Sequence, residues 1–206
     1  MAPPIHAFLF DIGNVLLRFD FAHVLRALAV HSEVTEPAAL LANIDRVKVA
    51  YEDGAIDRAA FLRGVFDVLA YRGTETDFIR AWEDIFEPNT PMVSLVEELS
   101  ASYPLYLLSN TSDIHRDYIF REYPFFARFA GGVYSFEAGA SKPGRRIFEI
   151  AIARLGLEPA RTFFIDDLLP NIETARALGF ICHHYHHEKH AALLGALYAI
   201  GILTRT

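Results

Sequence analysis

Four short apolar runs constrain this chain more than anything else in it. They are IHAFLF (5–10), PLYLLS (104–109), TFFI (162–165) and GFICH (179–183). Each is too short for a buried helix and apolar at consecutive positions, as a strand covered on both faces must be. Helical patterns separate them: PMVSLVEELSA (91–101) opens on a proline, and IFEIAIARLG (147–156) and NIETARALG (171–179) each end on a glycine stop. Strand and helix in alternation imply βαβ units, hence an α/β fold with a doubly wound, Rossmann-like parallel sheet. Residues 18–87 break the alternation. They hold four helical segments, roughly 21–31, 37–51, 57–70 and 75–86, punctuated by Asp53-Gly54 and Arg72-Gly73-Thr74, with no convincing strand. We expect a core of 1–17 and 88–206 and a helical cap of 18–87 inserted after the first strand.

Composition narrows the function. The chain has 206 residues, 52% of them hydrophobic, enough for a substantial core. A formal net charge of −7 argues against nucleic acid as a partner, because a phosphate backbone demands a basic surface. Cys182 is the single cysteine, so no intrachain disulfide forms and a reducing compartment fits best. MAPPIHAFLF lacks the basic start of a signal peptide, and AALLGALYAIGIL (191–203) is too short to cross a bilayer. A cytoplasmic protein is expected, without membrane contact, as a monomer or homodimer.

Ligands of a doubly wound sheet bind beyond the carboxyl ends of its strands. Asp11 ends the first run, Ser109-Asn110 the second and Asp166-Asp167 the third, while Lys142 sits in SKPG before a helix. A carboxylate such as Asp11 can attack phosphorus and form an aspartyl-phosphate. Three clustered carboxylates call for a cation, and oxygen ligands beside a phosphate suit Mg²⁺. Lys142 supplies a positive charge, and Ser109 and Asn110 supply donors. Taken singly, each residue is as well read as a turn former or helix cap. Their shared edge favours a site.

The set resembles the haloacid dehalogenase-like hydrolase superfamily. FLFDIGNVLL looks like its first motif, LYLLSNTSD its second, SKP its third and FFIDDLLPNIETARALG its fourth. The DxGNV start, the phrase YEDGAIDRAAF and the double Asp are similar to the branch of bacterial phosphatases that includes α-D-glucose-1-phosphate phosphatase. The resemblance implies a phosphatase of a small phosphorylated metabolite, a sugar phosphate by preference. Asp11 would be nucleophile and metal ligand, the Gly13 carbonyl a second ligand, Asp167 a third, and Asp166 a lesser ligand or a holder of metal-bound water. Ser109, Asn110 and Lys142 would hold the phosphate.

One departure stands out. Most phosphatases of this superfamily place a second Asp two residues after the nucleophile, as acid and base; here that position is Gly13. The loss matters least for a good leaving group such as an anomeric oxygen. Asp20 is a replacement candidate, although an N-cap explains it more simply. Phe19, Trp82 and Glu83 are candidates to face the substrate, Trp82 being better explained as cap core. HHYHHEKH (183–190) can bind metal adventitiously but opens the last helix, where polar surface is expected. Arg145 and Arg146 fall in a helix's first turn, where the dipole disfavours cations. They imply either a nearby anion or plain exposure. Two other readings stay open: a 2-haloacid dehalogenase, and a non-catalytic binder of phosphometabolites.

Overall fold

The computed structural model describes residues 4–33 and 36–204, without the side chains of His23 and Pro37. Residues 1–3, part of the stretch inspected for a signal peptide, lie outside it. In chain order the elements are β1 (Ala7–Phe10), β2 (Leu17–Phe19), α1 (Phe21–Ala29), α2 (Pro37–Glu52), α3 (Arg58–Leu69), α4 (Glu75–Glu83), β3 (Phe86–Pro88), α5 (Thr90–Ser100), β4 (Leu105–Ser109) and α6 (Asp113–Glu122). Then follow β5 (Gly131–Tyr134), α7 (Ser135–Ala138), α8 (Arg145–Leu155), β6 (Thr162–Asp166), α9 (Leu169–Ala177), β7 (Ile181–His184) and α10 (His190–Ala199).

Five strands pair in the order β5-β4-β1-β6-β7, all parallel. In β1, Phe8 and Phe10 join one core layer with α5, α6 and α10, while Ala7 and Leu9 join the opposite layer with α8 and α9. The uninterrupted apolar run is the mark of this two-sided burial. β1 is central, with β4 on one side and β6 on the other, so the order reverses beside it. That crevice is where such sheets bind ligands.

Three strands departed from expectation. β5, GGVY, carries two glycines and no alternating apolar signal. Residues 18–87 also contribute to a two-stranded antiparallel ribbon, with Leu17 opposite Pro88 and Phe19 opposite Phe86, at the root of the helical block. These strands are too short to register as a pattern.

Helices α1–α4 enclose a second cluster built on Phe61, Phe78 and Trp82. Asp20, Asp57 and Thr74 accept from the backbone N–H groups of Ala22, Ala60 and Asp77 and so cap three of these helices. The phrase YEDGAIDRAAF clasps the helical block to the core. Tyr51 donates to Asp113, Arg58 pairs with Asp113 at 2.8 Å and Asp117 at 3.3 Å, and Ser141 donates to Asp53. Gly54 has φ +71°, and a Cβ there would lie 2.4 Å from the Phe136 carbonyl oxygen, so only glycine fits.

A second clasp joins α4 to α6. The His115 ring stacks on Trp82 at 5.6 Å, and its Nε2 meets the Trp82 carbonyl at 3.0 Å. Burial holds the His115 imidazole down to about 4, against 6.5 for an ordinary histidine. The unfolded chain therefore takes up this proton first. Stability should be undiminished above pH 6.5 and fall as pH drops towards 4, by on the order of 3 kcal/mol from this group. Denaturant unfolding across that range, compared with His115→Gln, checks it: the variant should lose this part of the slope.

Candidate active site

Lys142 is the hub of the crevice. Its Nζ lies 2.8 Å from Asp11 Oδ1 and 2.7 Å from Asp166 Oδ2, with its side chain 1% exposed. Asp11 directly follows β1, Asp166 ends β6, and Lys142 comes from the loop between α7 and α8. That loop is held by Asn110, just past β4. The Asn110 Nδ2 donates to the Lys142 carbonyl, and the Lys142 N–H donates to Asn110 Oδ1, each at 2.8 Å. Both ends of the Asn110 amide, a side chain expected to hold phosphate, thus bond the backbone that carries Lys142.

The remaining residues take distinct places. Asp166 is fully enclosed: Oδ1 accepts from the Leu168 N–H at 2.8 Å, and Asn171 Nδ2 reaches both oxygens at 2.9 and 3.1 Å. Asp167 is less buried and receives one bond, 3.1 Å, from Asn14 Nδ2 to Oδ2. Ser109 is buried, and its hydroxyl makes only a marginal 3.5 Å contact with the Asn110 carbonyl. After Asp11, the Ile12 carbonyl accepts from both Leu16 and Leu17, at 2.9 and 3.0 Å, so the turn closes without the Gly13 carbonyl.

Carboxylate oxygens of Asp11, Asp166 and Asp167 all lie within 4.8 Å of one another. One ammonium faces three acids. Burial pushes the Asp11 carboxyl up; Lys142 opposes the rise, and Asp166 and Asp167 add to it. Burial likewise raises Asp167. A hard divalent cation fits this all-oxygen set and would relieve its excess negative charge.

Several candidates fall elsewhere. Asp20 caps α1 through the Ala22 N–H at 2.7 Å, which is the simpler reading of that residue. Trp82 is packed in the helical block, and Glu83 pairs with Arg121 on its surface. Arg145 and Arg146 are exposed, Arg145 pairing with Glu149. The histidine run is divided: His184 Nε2 meets the Asp167 carbonyl, His190 meets the Tyr185 hydroxyl, and His186 and His187 stack on each other. Among the described residues, the only metal-capable cluster is the aspartate triad. Phe19 does face the site. A Cβ at Gly13 would meet its ring at 3.1 Å, so the ring edge stands where a side chain would be.

Sequence reasoning passes over Asn14 and Asn171. Asn14 adopts φ +53°, a conformation that asparagine tolerates better than most residues, and it carries its amide to Asp167. Asn171, in the first turn of α9, is the polar partner that a buried Asp166 requires.

A family model described as haloacid dehalogenase-like hydrolase matches residues 5–179. A D-ribitol-5-phosphate phosphatase of Bacteroides thetaiotaomicron is 25% identical over 182 residues, covering 83% of this chain and 87% of that protein. The crystal structure of a HAD family enzyme from the same organism superposes with a TM-score of 0.80 at 26% identity, covering 88% of this chain and 93% of that one. A related structure, in complex with magnesium and inorganic phosphate, gives 0.76 at 25% identity over 87% and 93%. The L-2-haloacid dehalogenase of Xanthobacter autotrophicus, at 17% identity and TM-score 0.63 over 86% and 76%, shares the fold. No helix among the described residues is long and apolar enough to cross a membrane. Four motifs converging on one crevice of a doubly wound sheet, and a family match spanning most of the chain, agree: this chain belongs to the haloacid dehalogenase-like hydrolases.

Proposed function

We propose that the protein is a Mg²⁺-dependent phosphatase of a small phosphorylated metabolite, a sugar phosphate by preference, with Asp11 as nucleophile. The observation that carries this reading is Lys142 bridging Asp11 and Asp166 while Asp167 completes an oxygen triad. The phosphatase named among the relatives and the magnesium–phosphate complex of a similar fold support it.

Asp11, Asp167 and the Gly13 carbonyl would hold the metal, with Asp166 behind them. When bound, it neutralises charge on the phosphoryl group and on the acids. Ser109 and Lys142 receive the phosphate oxygens, and Asn110 fixes the lysine. Lys142 also keeps Asp11 oriented by sharing one of its oxygens. The Asp11 carboxylate attacks phosphorus, and the ester P–O bond breaks with its electron pair on the leaving oxygen. Gly13 supplies no proton, so that oxygen takes one from solvent or from another donor. Water then hydrolyses the aspartyl-phosphate. Residues 18–87 act as a cap, closed over the crevice by the Tyr51–Arg58 clasp, which favours small substrates. Asp166 and Asp167 weigh against a metal-free dehalogenase, since together with Asp11 they outnumber the Lys142 ammonium and would place excess negative charge beside an anionic substrate.

Phosphate release from a panel of phosphorylated metabolites should require Mg²⁺ and vanish in Asp11→Asn. Release from no substrate, by a folded protein, would refute the reading. The missing acid has its own test. Phe19 is 41% exposed and can yield the few tenths of an ångström that a Cβ at residue 13 needs. Gly13→Asp should therefore raise the rate on glucose 6-phosphate by up to ~10²-fold, and less on glucose 1-phosphate, whose leaving oxygen needs less help. Wild type should prefer the 1-phosphate of the pair.

A further inference from the structure

A cavity of about 150 Å³ adjoins the phosphate end of the crevice. Gly13, Ser109 and Asn110 line its core side, and Lys48 and Glu52 of α2 line its cap side. Lys48 Nζ and Glu52 Oε2 lie 2.9 Å apart, and their side chains are only 19% and 18% exposed. Arg145 and Glu149 have the same spacing on α8 but are 65% and 53% exposed, an ordinary surface pair.

Helix stability does not explain Lys48 and Glu52. Lysine preceding glutamate by four residues is the less favourable order, and Glu52 is the last residue of α2, at the negative end of its dipole. The pair also bears the cost of leaving water. Lysine offers three donors and a carboxylate about four acceptor sites, while the contact between them uses one of each. Spare hydrogen-bonding capacity therefore lines a small cavity beside the phosphate cradle.

We propose that Lys48 and Glu52 determine specificity by binding the hydroxyl groups of a neutral polyol or sugar leaving group. The inference rests on the phosphatase reading and deepens it. A hydroxyl both donates and accepts, so it can give to Glu52 and receive from Lys48. An apolar alcohol would leave both charges under-bonded. A second phosphate or a carboxylate is disfavoured, because among the described residues these are the only charged side chains lining the cavity and they cancel. His115, also in the lining, is held neutral at physiological pH with Nε2 spent on the Trp82 carbonyl. The Phe19 and Phe21 rings offer apolar faces to the carbon skeleton. Glu52 adjoins the Asp53–Gly54 turn clasped to Ser141 and Phe136, which fixes the pair relative to Lys142.

The test measures kcat and KM for D-ribitol 5-phosphate and p-nitrophenyl phosphate, with Mg²⁺, for wild type, Glu52→Gln and Lys48→Met. In each variant the ratio of kcat/KM for the polyol ester to that for the aryl ester should fall about tenfold to a hundredfold, carried mainly by KM, as for one lost bond to a charged group. Equal losses on both esters would make the pair structural and overturn the inference, as would an unchanged ratio. A wild type that cleaves the aryl ester but no polyol or sugar phosphate overturns it while leaving the phosphatase standing. A wild type that cleaves neither ester, nor any other phosphomonoester tried, refutes the phosphatase reading and this inference with it.

Discussion

The ammonium of Lys142, buried between Asp11 and Asp166, is the constraint on which the crevice depends. Without it, two carboxylates from adjacent strands would face each other with no cation in the protein between them. A buried charge must be paired, and a buried pair must be held. The surroundings meet both needs. Asn110 grips the lysine backbone from both sides, and Asn171 and the Leu168 N–H complete Asp166. Charge balance thus ties three parallel strands and the loop before α8 into one arrangement.

The helical block rests on this arrangement directly. Its turn at Gly54 reaches the core beside Ser141, the residue before Lys142. A phrase that looks like family signature alone, YEDGAIDRAAF, is in physical terms a docking device: a phenol, a carboxylate, a glycine without room for Cβ and a guanidinium, each with a core partner. On the opposite side, the Phe19 ring edge occupies the space beside Gly13. The absent acid and this ring belong together, since a side chain at residue 13 would contend with the aromatic edge for the same place.

Much of the fold was legible because two-sided burial leaves continuous apolar runs, as in FLF and TFFI, and because proline and glycine mark the ends of helices. The strand GGVY was not, since its glycines carry no hydrophobic signal and only pairing with β4 defines it. The ribbon of Leu17–Phe19 with Phe86–Pro88 was hidden because three-residue strands carry no pattern, and its partners lie far apart in the chain. In the crevice, the acids could be read from their positions at strand ends and the lysine from its place in SKPG before a helix. The work of their neighbours could not. That the Asn110 amide also holds the Lys142 backbone shows only in the folded chain. Lys48 and Glu52 sit in a helical stretch where a charged pair looks like plain surface, and only the packing of α2 over the crevice encloses them.

The placement of β1 bears on how the chain acquires this structure. Its partners are Leu105–Leu107 on one side and Thr162–Ile165 on the other. β1 therefore waits for residues 105–107 before one edge is paired and for residues 162–165 before the other, and its apolar FLF segment stays exposed meanwhile. Loops that long close slowly, and unpaired apolar edges invite association. The helical block has no such wait. Apart from Ile114, its cluster is drawn from residues 24–85 and can form while β4 and β6 are still to come. The contacts that build the helical block are thus largely local in sequence, whereas those that build the sheet around β1 are not.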